Sequence, residues 1–161
     1  MGLHLPVGAE GDQMFAKILL AVDCWPESRA AVSAASEIAR ALGGQVLVLH
    51  IQERHHARGV AWEPGLPGDS EELADSTVYR LARRGIPAGG ILRVALVGRV
   101  PEEIANVASD ECADLIILGT RGLSCLEGLF SESVGHRLIR LADQPVLIAR
   151  TPRGKEFQGR R

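Results

Sequence analysis

Aromatic side chains are scarce in this sequence: Phe, Trp and Tyr together make up 4% of its 161 residues. With a formal net charge of −2, the chain lacks the basic, ring-lined surface that nucleic acid demands, and no nucleic-acid partner is expected. Cysteine is thin as well. Cys24, Cys112 and Cys125 are odd in number and show no C-x-x-C spacing, so neither a disulfide framework nor a zinc site is indicated. They read as reduced thiols of a cytoplasmic protein. The first thirteen residues, MGLHLPVGAEGDQ, have neither a cationic start nor a long apolar run, so they read as neither a signal peptide nor a membrane span. Pro6 stands where a myristoylation signal needs Ser or Thr, and no membrane partner is expected.

What the chain does have is 46% hydrophobic residues beside 24% charged ones, enough for one globular domain with a sizeable core. That domain is expected over residues 15–151. Residues 1–14 read as a loose extension and 152–161, with Arg153, Lys155, Arg160 and Arg161, as a basic frayed tail. Lys17 to Val22 is an apolar run ending at Asp23, the shape of a strand buried on both faces and delivered to a polar edge. Pro26 and Glu27 suit a helix start, Ala31, Ala34, Ala35, Ile38 and Leu42 follow at helical spacing, and Gly43-Gly44 stops the helix. Gln45 to Ile51 is a second strand. Residues 52–69, rich in Gly and Pro and without a period, predict a loop. A helix follows from Ser70 to Arg84, a third strand from Ile91 to Val97, and a helix opened by Pro101-Glu102-Glu103 that buries Ile104, Val107 and Ala108. Leu115 to Leu118 is a fourth strand, Ser133 to Ala142 a helix burying Val134, Leu138 and Leu141, and Pro145 to Arg150 a fifth strand.

Alternating strands and helices with short, continuously apolar strands predict a doubly wound α/β fold, Rossmann-like, with helices on both faces of a parallel sheet. Right-handed crossovers place every strand's C-terminal end on one edge, where such sheets bind ligands. Asp23, His50-Ile51 and the loop beginning at Gly119 fall on that edge together. The stretch GTRGLSCLEGLFSESVGHRL, residues 119–138, has the Gly-rich front and helix start that commonly wrap a phosphate. No nucleophile constellation is visible, since Ser124, Ser131 and Ser133 lack a base placed by sequence. Adjacent His55 and His56 cannot share one face of a regular element, so no metal site is expected there. Asp23 serves either a ligand or the cap of the following helix. His50 reads as a satisfied structural histidine, Cys24 and Cys125 as inert small side chains, and Arg121 as a phosphate contact or an ion-pair partner of Glu127 or Glu132.

The opening KILLAVD, the second strand VLVLHI, the turn VGRVPEEI, the stretch DLIILGTRGLS, the helix start SVGHRLI and the close QPVLIAR, in this order and spacing, resemble the universal stress protein family over about residues 15–151. The resemblance implies a five-stranded parallel sheet of order 3-2-1-4-5, a regulatory rather than catalytic role with slow ATP hydrolysis at most, and a homodimer formed through the last strand, Val146–Ala149, with an unknown protein partner as a further possibility. In the family's nucleotide-binding branch, G-x2-G-x9-G-[ST] after the fourth strand holds ATP. Carried over, Gly119 and Gly122 match the first two glycines and Ser133 the hydroxyl, Asp23 lies near the ribose, and Ala21, Ile51 and Leu118 surround the adenine.

The third glycine is replaced by Glu132. A unit charge about 4 Å from a phosphate oxygen costs roughly 4 kcal/mol at an effective dielectric of about 20, or about a thousandfold in affinity. A Cβ there also resists positive φ or close approach to phosphate. Mg²⁺ bridging carboxylate and phosphates would relieve the repulsion, and AMP, with less charge near Glu132, should suffer less than ATP. Two readings result: a stress-response domain that binds ATP or AMP at the C-terminal edge of the sheet, or a nucleotide-free dimeric interaction module whose site Glu132 has closed from its place at a helix start.

Overall fold

The computed structural model describes residues 14–23, 28–57, 60–62, 69–119 and 133–150. Its elements are β1 (Lys17–Val22), α1 (Ser28–Leu42), β2 (Gln45–Ala57), β3 (Val60–Trp62), α2 (Asp69–Ala82), β4 (Ala88–Leu96), α3 (Val100–Asp110), β5 (Leu115–Gly119), α4 (Val134–Leu141) and β6 (Val146–Ala149). The expected tail, 152–161, and nearly all of the expected extension, 1–14, lie outside the described residues.

Five strands pair in parallel in the order β4-β2-β1-β5-β6. Numbered among the parallel strands alone, that is the 3-2-1-4-5 order the family resemblance implied. The sixth strand is a finding. Residues 52–69 gave no periodic signal, yet β2 continues to Ala57 because Gln52, Glu53 and Arg54 stay in register with Val94, Ala95 and Leu96 of β4, and β3 then folds back antiparallel on His55–Ala57. A backbone ladder holds a strand whatever its side chains, so polar residues beyond the core leave no hydrophobic trace. For the same reason β4 starts at Ala88 rather than Ile91: Gly89 and Gly90 pair with Leu47 and Val48 but contribute no apolar side chain.

The apolar run of β1 is divided between two cores. Ile18, Leu20 and Val22 face α1 and α2 together with Val46, Val48, Leu115 and Ile117. Leu19 and Ala21 face α3 and α4 together with Leu49, Ile116, Leu118 and Leu138. A strand that buries both faces reads as a continuous apolar stretch, which is why β1, β2 and β5 were legible as strands.

Two details of helix packing depend on glycine. At Gly44 a Cβ would lie 2.7 Å from the Phe15 carbonyl oxygen, so only glycine lets the chain leaving α1 pass under the start of β1. At Gly135 a Cβ would lie 2.9 Å from Ile148 Cδ1 and 3.7 Å from Leu118 Cδ1, so α4 lies close on β5 and β6. This corrects the face expected for α4. Leu138 is fully buried, but Val134 and Leu141 are 40% and 45% exposed, because the face that meets the sheet runs along Gly135, Leu138 and Ala142. Small residues let the helix approach, and the larger apolar pair is turned outward.

Candidate functional site at the C-terminal sheet edge

Strand register brings the expected adenine-lining residues onto one face. Ala21 stands opposite Leu49 on one side and Leu118 on the other, and Leu118 stands opposite Ile148. Ile51 lies two residues beyond Leu49 on β2, and side chains two apart on a strand share a face. Ala21, Ile51 and Leu118 all belong to the α3/α4 core, with Leu118 buried and the other two half-buried. They form an apolar floor at the end of the sheet.

Asp23 follows directly on β1. Its Oδ1 accepts the Ser28 hydroxyl at 2.6 Å, and its own N–H donates to Ser28 Oγ at 3.1 Å. Ser28 is the first residue of α1, so this reciprocal pair clamps the end of β1 to the helix that follows. Asp23 is thus a carboxylate tied through the Ser28 hydroxyl to the first residue of α1, at the C-terminal edge of the sheet. Gly119 is the last residue of β5, half-buried and opposite Ala149.

Ser133 is the N-cap of α4, with φ −60 and ψ 148, and its Oγ accepts the His136 N–H at 3.3 Å. That bond uses a lone pair and leaves the hydroxyl hydrogen for another acceptor. Arg121, Gly122 and Glu132, along with Cys24, Cys125, Ser124, Glu127 and Ser131, lie outside the described residues. His50 sits on the opposite face, paired with Val22. It is 9% exposed, and its Nδ1 lies 3.0 Å from the Val22 carbonyl oxygen, so Nδ1 carries a hydrogen and donates it. This is the structural role its place in the sequence suggested. Among the described residues, no group of three or more His, Cys, Asp or Glu could hold a metal ion, and no helix is long and apolar enough to cross a membrane.

Reading the sequence missed a contact that reaches α4 from across the edge. Arg137 Nη1 donates to the Gly98 carbonyl at 2.7 Å and Nη2 pairs with Glu102 Oε1, which Arg99 also approaches at 3.5 Å. Gly98 has a φ of +81 in the turn between β4 and α3. The turn VGRVPEEI contains Gly98, Arg99 and Glu102, but no local pattern names Arg137 as their partner, since it lies 39 positions from Gly98 and 35 from Glu102.

The same fold occurs in known proteins. Residues 14–150 match the sequence model of the Universal stress protein family. The chain belongs to this family. A universal stress protein of Thermus aquaticus is 34% identical over 139 residues, covering 85% of this chain and all of its own length. Among solved structures, a universal stress protein family member from Burkholderia pseudomallei superposes with a TM-score of 0.64 at 26% identity, over 86% of this chain and 98% of that one. A universal stress protein from Archaeoglobus fulgidus, solved in complex with dAMP, shares the fold with a TM-score of 0.63 at 23% identity, over 84% of this chain and 98% of that one. Asp23, the Gly119 strand end and the Ser133 cap thus stand on a universal stress protein scaffold.

Proposed function

We propose that this universal stress protein domain binds an adenine nucleotide, AMP in preference to ATP, at the C-terminal edge of its sheet and acts as a cytoplasmic stress-response regulator. The observation that carries the reading is the apolar floor of Ala21, Ile51 and Leu118 on one face of that edge, with Asp23 ending β1 and Ser133 capping α4. Solved proteins of this fold in complex with cAMP, dAMP and AMP support it. In this reading the floor takes the adenine ring, Asp23 a ribose hydroxyl, and Gly119, Gly122, Arg121 and Ser133 the phosphate. Mg²⁺ would enter on the phosphate oxygens, since it prefers a few protein ligands plus substrate. Occupancy changes dimer state or partner choice, the dimer forming through Val146–Ala149. Hydrolysis is slow at most, and the domain is a sensor rather than an enzyme.

One residue favours the second reading, a nucleotide-free interaction module. Glu132 stands where the family's nucleotide-binding branch has its third glycine. Calorimetric titration of nucleotide-stripped protein with AMP and Mg-ATP, beside Glu132→Gly, separates the two. Binding of AMP by the wild type, with ATP weaker and improved in the variant, is the expected outcome. No binding by the wild type, with recovery in Glu132→Gly, would assign the protein to the closed, partner-binding class.

A further inference from the structure

We infer that Arg137 is a positioning residue for this site, locking the capped first turn of α4 to the β4–α3 turn and thereby fixing where the Ser133 hydroxyl stands. The inference rests on the nucleotide reading for its consequence, though not for its geometry. The Arg137 backbone N–H donates to the Ser133 carbonyl at 3.1 Å, while its side chain donates to the Gly98 carbonyl at 2.7 Å and pairs with Glu102. A single residue thus connects Ser133 to a turn on the neighbouring element. The fork of the guanidinium makes this connection rigid, because two donors on one plane engage two acceptors.

Three further observations fit a placed contact rather than an incidental surface pair. A cation in the first turn of a helix opposes the helix dipole, and α4 carries no acidic residue there to offset it, so the position of Arg137 is unfavourable unless a contact holds it. Both partners are about two-thirds buried, with side-chain exposures of 31% and 28%, so solvent competes less than at an open ion pair. Among the described residues, Glu102 Oε2 is buried without a hydrogen-bond partner, so the carboxylate depends on what its other oxygen receives from Arg137 and Arg99. Because Glu102 neutralises the guanidinium, Arg137 contributes geometry rather than charge to an incoming phosphate.

The test compares wild type with Arg137→Gln, Arg137→Lys, Ser133→Ala and the double variant Arg137→Gln/Ser133→Ala. Amide hydrogen exchange in the unliganded protein should rise roughly tenfold at His136 and Arg137 in Arg137→Gln while the amides of β1 and β5 keep their rates, and Arg137→Lys should fall between. A general loss of stability would raise exchange throughout, and unchanged rates at α4 would mean no lock; either result overturns the inference. Titration with AMP should show Arg137→Gln weakening affinity roughly three- to tenfold, with little further loss when Ser133 is already Ala. Full additivity of the two losses would show that Arg137 does not act through Ser133. If the wild type bound no AMP, the proposed function would fall, and the exchange measurement would still decide whether Arg137 positions the helix.

Discussion

Asp114 begins the stretch DLIILG, and its role lies at the end of the sheet opposite the site. Its carboxylate accepts the Ala16 N–H at 2.9 Å and the Lys17 N–H at 3.2 Å, pinning the entry of β1 beside β5, and Lys17 forms an ion pair with Glu111 at 3.2 Å. Asp114→Ala would leave two partly buried amides without their acceptor and should cost about 1–3 kcal/mol in urea unfolding, whereas Asp143→Ala, at an exposed position, should change stability by less than about 0.5 kcal/mol. Glycines divide in a similar way by what they face. Gly44→Ala drives a Cβ into the Phe15 backbone and should cost about 1–3 kcal/mol. Gly135→Ala meets only the far end of Ile148, which is free to change rotamer, and its thermal midpoint should fall less than that of Gly44→Ala. Residue-level legibility was uneven for a physical reason. Asp23 as a polar strand end and His50 as a structural histidine were readable from their neighbours in the chain. Ser28 as the partner of Asp23, and Arg137 as the partner of Glu102, depend on side-chain directions that only the folded backbone sets.

At the scale of elements, the sequence spoke clearly wherever a segment is buried on both sides. β1 and β5 lie at the centre of the sheet, and the helices that cover them showed themselves by apolar spacing, as in Ile104, Val107 and Ala108 of α3. It was silent where backbone pairing alone makes the structure, as in the β2 extension and the hairpin with β3. In α4 a large-residue stripe was a poor guide, because Gly135 and Ala142 mark the true contact face. On the edge strand β6 itself, Ile148 packs its Cδ1 against α4 at Gly135 yet stays 39% exposed. An edge strand bordered by apolar side chains is a ready place for a second copy to pair. Ile148→Lys should therefore move the mass seen by light scattering from dimer to monomer. A dimer mass unaltered by Ile148→Lys would relocate the interface, with β4 the alternative edge, where Val94 and Leu96 are 43% and 49% exposed.

For the whole molecule, alternation of strands and helices was enough to place the strand ends on one edge, and the family resemblance supplied the strand order that the register bears out. Winding reverses at β1: β2 and β4 lie to one side, β5 and β6 to the other, and Ala21 and Asp23 stand at the end of the central strand, the kind of place where open sheets bind ligands. Each half of the candidate site comes from a different side of this reversal, Ile51 from β2 and Leu118, Gly119 and Ser133 from β5 and α4. On the proposed reading, occupancy at the reversal would touch both halves of the sheet at once. The most direct measurement is a two-dimensional NMR titration of the nucleotide-stripped protein with AMP. The expected result is a set of saturable amide shifts confined to Ala21–Asp23, Ile51, Leu118–Gly119 and the first turn of α4 from Ser133. Shifts that fail to saturate, or that gather at the N-terminal edge around Asp114, would contradict the assignment of this sheet edge as an adenine-nucleotide site.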